Sequence, residues 1–158
     1  MPQIPPLLFE QLLSRATDWV EKQEQFILNH EESRALTVQE QEIARQAGVQ
    51  RPEGVRILAV PEIPFPQEAE LRAAAEIVGL STRGASGLTV GHGIFVRHDL
   101  ADDAKLVTHE LRHVAQYERR GSILAFLRRY LFEVNEFGYP DAPMEQDAIA
   151  FAEYIWPP

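Results

Sequence analysis

The chain has 158 residues, 45% of them hydrophobic and 25% charged, with a formal net charge of −9 and no cysteine. That length and balance fit one globular domain with a core of its own rather than a disordered chain. Without cysteine there is no disulfide scaffold, thiolate-ligated zinc or cysteine nucleophile, and acids outnumber bases in both halves, so no nucleic-acid partner is expected.

Residues 1–8 lack a charged n-region and an unbroken apolar stretch, and no apolar run approaches a membrane span. A soluble, cytoplasmic protein without membrane contact is the expectation. Phe9, Leu13, Ala16, Val20 and Ile27 recur at helical spacing, which predicts an amphipathic helix over residues 7–30. Thr37 with Glu40 is a capping-box signature for a second helix ending near Gly48. Residues 51–54 read as a turn and 55–60 as a strand. Prolines 61, 64 and 66 mark an extended connection before a helix over 67–77. The Gly- and Ser-dense stretch 79–87 reads as a loop or hairpin turn.

Residues 88–97 alternate, with Leu88, Val90, Ile94 and Val96 placed on one face of a single strand. Two glycines beside His92 suggest a backbone that something approaches closely. Asp102 or Asp103 can cap the next helix, which runs to about Arg120. Ser122 caps another through about Phe132. Gly138-Tyr139-Pro140 turns the chain, and Asp141 with Pro143 opens a last helix ending at Trp156.

The chemistry concentrates in residues 109–113, His-Glu-Leu-Arg-His. Residues four apart on a helix share a face, so His109 and His113 can hold one divalent metal with Glu110 beside it as general base. Leu106 and Tyr117 continue the histidine stripe, so both rings point to the packed side. The plainer reading is a pair of buried, hydrogen-bonded histidines with an incidental acid. Catalytic zinc takes three protein ligands, and the position of a third histidine six residues on is Arg119. Glu145 is the best candidate, because it shares a stripe with Ala148, Ile149, Ala152 and Trp156, where a lone carboxylate would need a cation. Asp147 is its rival, with Glu136 and Glu133 behind it, and a first-turn acid favoured by the helix dipole is the structural alternative.

Arg112, Arg119, Arg120, Arg128 and Arg129 read as a solvated face. Tyr117 and Gln116 read as packing or supporting contacts, and His30 and His98 have no company suggesting ligation.

The run from His109 to Glu118, with residues 126–131, 137–140 and 144–148, resembles the small bacterial zincin-type metallopeptidases, which are similar to minimal gluzincins. The resemblance covers roughly residues 88–153. It implies an α+β fold, predominantly helical, with a small mixed β-sheet whose edge strand follows the cleft, an active-site helix and a later helix giving a Glu. One zincin-like domain over 1–158 is expected, with N-terminal helices 7–48 packed on a catalytic core of about 55–156. Carried over, His109, His113 and Glu145 match the Zn2+ ligands and Glu110 the general base. Glu145 does not sit in the usual Asn-Glu-x-x-Ser form.

The activity so implied is hydrolysis of internal peptide bonds in a peptide or protein substrate paired along the edge strand. Zinc lowers the pKa of its water toward about 7, Glu110 moves the proton, and Tyr139 or His92 can donate to the oxyanion. Tyr139 reads equally as a packing anchor, and His92 as a strand residue. Two other readings stand beside the peptidase: a zinc-stabilised binding or adaptor module, and a metal-free helical interaction protein.

Overall fold

The computed structural model describes residues 3–80 and 85–158. Its elements follow the order α1 (Pro6–Leu28), β1 (Arg34–Ala35), α2 (Val38–Ala47), β2 (Arg56–Val60), α3 (Ala69–Ile77), β3 (Gly87–Val90), β4 (Gly93–Arg97), α4 (Ala104–Arg120), α5 (Ile123–Phe137) and α6 (Pro143–Ile155). This is an α+β fold, mostly helical with a small mixed sheet. No helix among the described residues is long and apolar enough to cross a membrane.

The local signals explain most of these bounds. Thr37 Oγ1 accepts from Glu40 N–H at 3.1 Å, and the Glu40 carboxylate accepts from Thr37 N–H at 2.8 Å, so the capping box of α2 is complete. Gly48 ends that helix at φ +99°, a left-handed conformation that suits glycine. Asp103 rather than Asp102 caps α4, accepting from Leu106 N–H. Helix α5 continues past Phe132 to Phe137, because its apolar stripe carries on to Val134, which is fully buried beside Val78 and Ala142. Helix α6 begins at Pro143 with Ala142, not Asp141, at the cap position. Pro143 supplies the start instead, since its fixed φ suits the first helical residue.

The sheet order is β1-β2-β4-β3, with β2 parallel to β4 and the other two pairs antiparallel. The single strand expected over residues 88–97 is two strands. Gly91 and His92 form a two-residue hairpin loop, and Gly91 takes φ +68°. That loop reassigns the faces. Leu88 pairs with Phe95 and Val90 with Gly93, on the side packed against Ile27 of α1. Ile94 and Val96 point the other way, into a core built by Val55, Val107, Leu111 and Val114. Hydropathic alternation continues across the loop while the orientation does not, which is why these four residues do not share a face.

β4 therefore lies between β2 and β3 with α1 on one face and α2 and α4 on the other, and its residues 93–96 are all buried. The glycines beside His92 do mark close approach, by α1. A Cβ on Gly93 would lie 2.9 Å from Ile27 Cδ1, and one on Gly91 would collide with the Glu24 carboxylate. Residues 81–84 of the expected 79–87 loop lie outside the described residues.

Helix α1 has two jobs. Leu13 packs with Ile123 and Leu127 of α5, and Ile27 packs on the sheet. Fully burying one such side chain contributes roughly 1.5–3 kcal/mol. Between these anchors α1 presents Leu12, Ala16 and Trp19 to a cleft of about 770 Å³, whose other walls come from α3, β3, α4, α5 and α6.

Candidate metal centre

Two contacts fasten α6, one to α5 and one to α4. At its start, the buried carboxylate of Glu133 on α5 accepts from Met144 N–H at 2.7 Å, with Arg129 on its other oxygen. At its end, Trp156 Nε1 donates to Thr108 Oγ1 at 2.9 Å. Ala148 and Ala152 lie in the interface with essentially no exposure, and their small side chains let the helices close. Glu133, a secondary ligand candidate, thus holds the N-terminal turn of α6, and Glu136 is exposed away from the cleft.

This packing carries Glu145 to the two histidines. Glu145 Oε1 is 2.7 Å from His109 Nε2, and Oε2 is 3.2 Å from His113 Nε2. One donor atom from each of the three residues lies within 4.8 Å of the others, a group able to hold a metal ion. Glu145 is 2% exposed and His113 6%, while His109 opens toward the cleft. The chemistry of the donors fits a divalent ion: two imidazoles and one carboxylate, meeting through Nε2 and carboxylate oxygen on the wall of a cavity.

Neighbouring side chains orient the donors. Gln116 spends its amide N–H groups on Met144 O and Asp147 Oδ2, at 2.9 Å each, which leaves its Oε1 to accept from His113 Nδ1 at 2.8 Å. That contact fixes the ring so that Nε2 faces Glu145. Tyr130 of α5, a residue the spacing arguments pass over, donates its hydroxyl to Glu145 Oε2 at 3.0 Å. It lies one turn after Phe126 and stacks on that ring, a spacing that by itself signals only packing.

The electrostatics follow from this burial. For His113, burial by itself disfavours the cation, but the hydrogen bond and charge of Glu145 outweigh it and push the ring up to about 9. For Glu145, burial by itself would raise the carboxyl, yet the hydrogen bonds from His109 and His113 hold it well below the usual carboxylate range. Burial and then the Glu145 charge keep the Tyr130 hydroxyl protonated far above its ordinary value.

Glu110 is 5% exposed and lines the cleft beside the group, with Oε2 accepting from Thr89 Oγ1 of β3 at 2.6 Å. Tyr139 lines the same cleft and is partly exposed. Burial, then the charges of Glu145 and Glu110, push its hydroxyl up to about 12, so it stays a donor at neutral pH.

Other expected residues fall elsewhere. Asp147 faces away from the histidines and takes a bidentate contact from Arg112 at 2.8 and 3.0 Å. Arg112 also donates to Ala47 O and lies over the Phe151 ring, so it belongs to the α4–α6 contact and not to a solvated face. Arg128 and Arg129 pair with Glu10 and Glu133. His92 is outside the cleft, because the hairpin turn points its Nε2 at Glu118, 2.9 Å away, and it has no line to an oxyanion near Glu145. His30 accepts from Glu32 N–H, and His98 is exposed in a turn.

Fold and site together define an α+β protein with a His–His–Glu group able to hold a metal ion at the base of an apolar cleft. Residues 72–121 match the model of a family described as the eCIS core domain. That stretch runs from within α3 through β3, β4 and the whole of α4, so it contains His109, Glu110 and His113 but not Glu145. No curated protein and no solved structure matches the chain.

Proposed function

We propose that this chain is a zinc-dependent peptidase. The observation that carries the reading is the meeting of His109 and His113 with Glu145 while Glu110, the residue between the histidines, faces the same cleft. Bound zinc would be held by these three side chains and would acidify its water and polarise a carbonyl there. Glu110, on the cleft wall, would serve as the base that accepts a proton from the attacking water and passes it to the leaving amine. Tyr139, a protonated donor on the cleft wall, stabilises the developing oxyanion.

The substrate in this reading is an extended peptide with bulky apolar side chains. β3 is the edge strand and lies along the cleft through Gly87, Leu88 and Thr89, so main-chain pairing can lay a peptide beside the donors. Leu12, Trp19, Leu71, Val78 and Phe126 then offer an apolar wall for its side chains. The match to the eCIS core domain adds the pair of histidines and Glu110 to a recurring domain but carries no reaction with it.

A second reading, a metal-stabilised binding module, draws on the depth of Glu145 and on both its oxygens being engaged, as in a closed structural site. One variant separates the two. Glu110→Gln should keep one zinc per chain by elemental analysis while turnover on a peptide library falls about 10²- to 10⁴-fold. Unchanged turnover would remove Glu110 from the chemistry. Wild-type protein that binds zinc, melts earlier on chelation and cleaves nothing would favour the module.

A further inference from the structure

The edge strand meets Glu110 on two sides. Thr89 Oγ1 lies 2.6 Å from Glu110 Oε2 and 3.0 Å from the Glu110 backbone carbonyl. A hydroxyl has one proton, and the shorter contact, to a charged acceptor, is in the range of strong O–H···O⁻ bonds. On the other side, Gly87 leaves room for the carboxylate. A Cβ there would sit 3.1 Å from Glu110 Oε1, 3.3 Å from its Cγ and 3.2 Å from the carbonyl oxygen of Phe95. The Phe95 carbonyl belongs to β4 and cannot retreat, so the Glu110 side chain would have to give way.

These two residues stand in register on one face of β3. Gly87 pairs with Val96 and Thr89 with Ile94, the face turned to α4, while Leu88 faces α1. Glu110 is thereby set between a hydroxyl that pulls Oε2 and a bare backbone that admits Oε1.

We propose that Thr89 is a positioning residue for Glu110, and that Gly87 supplies the clearance that lets the carboxylate occupy that position. The proposal rests on the general-base reading of Glu110. It makes β3 serve twice, as the strand a peptide pairs with and as the element that aims the base, so the two functions are registered by one backbone.

The test uses the full zinc-loaded chain with Thr89→Val, Thr89→Ser and Gly87→Ala. Zinc stoichiometry, kcat and KM on an apolar peptide, and crystal structures of the Val and Ala variants are measured. Thr89→Val should keep zinc and KM and lose about 10- to 100-fold in kcat, in line with the cost of a misplacement near 1 Å. Thr89→Ser, which keeps the hydroxyl, should recover most of it. Gly87→Ala keeps the hydroxyl but crowds Oε1, and should lose kcat while retaining zinc.

Wild-type kcat in both Thr89→Val and Gly87→Ala would overturn the proposal. If the wild type cleaves no peptide, the peptidase reading fails, and the crystal structures still decide the positioning claim: a Glu110 carboxylate moved from its wild-type position supports it, and an unmoved one overturns it. Should either variant fail to fold, the other decides by the same measurements, because each perturbs a different oxygen.

Discussion

Two histidine–glutamate arrangements abut α4, and they differ in what the carboxylate has left to give. Near the end of the helix, Glu118 accepts from the backbone N–H groups of Gln50 at 2.7 Å and Arg51 at 3.2 Å, and from His92 at 2.9 Å. It closes a loop onto the helix, and its lone pairs are spent on fixed donors. At the cleft, Glu145 meets two imidazoles and a tyrosine hydroxyl, and among the described residues no backbone N–H binds its carboxylate. The same residue types make a clamp in one place and a donor set in the other. What separates them is whether the nitrogens are free to exchange a proton for a cation.

The sharpest way to break this comparison is to remove each acid in turn. Glu145→Ala should weaken zinc binding by well over 100-fold, beyond the 10- to 100-fold typical of supporting residues, as read by chelator competition. Glu118→Ala should leave zinc affinity unchanged and instead lower the melting temperature, since it removes two loop-to-helix hydrogen bonds, at about 0.5–1.5 kcal/mol each. Equal losses of zinc in both would erase the distinction.

A second test uses pH. His113 is held up to about 9 by Glu145, so a metal must displace its proton, and zinc affinity should tighten roughly tenfold per pH unit on the way up to about 9. Stability of the metal-free protein should run the other way. The ring titrates above its ordinary value of 6.5, so its contribution is complete below about 6.5 and is lost as pH rises toward about 9. Glu145, held low, contributes above its ordinary value of 4.5 and loses that contribution in acid. A metal-free melting temperature flat from pH 6.5 to 9 would contradict the pairing.

The smallest effect concerns Tyr130. Tyr130→Phe removes one hydrogen bond to Glu145 and should weaken zinc about tenfold without displacing the helices. Titration of the variant with zinc checks it, and an unchanged affinity would reduce Tyr130 to packing.

Much of the centre was legible in the sequence because it depends on a single periodicity. His109, Glu110 and His113 need only helical spacing, and Glu145 betrayed itself by lying on a stripe of alanines where an unpaired acid would be costly. The rest depends on register between distant elements. Thr89 and Gly87 reach Glu110 only because the Gly91–His92 loop is two residues long, a property that alternating hydropathy does not report. His92 was lost to the cleft for the same reason. Arg112 looked solvated until α6 placed Asp147 and Phe151 against it. Long-range pairing, rather than composition, decided each of these.

Helix α6 is tied at its start through Glu133 and at its end through Trp156, and neither tie involves the residues that would grip an ion. The third donor is therefore delivered by the folded scaffold and not gathered in by the cation. An ion bound there would meet donors already brought together by the helices, and its removal would leave both ties of α6 in place.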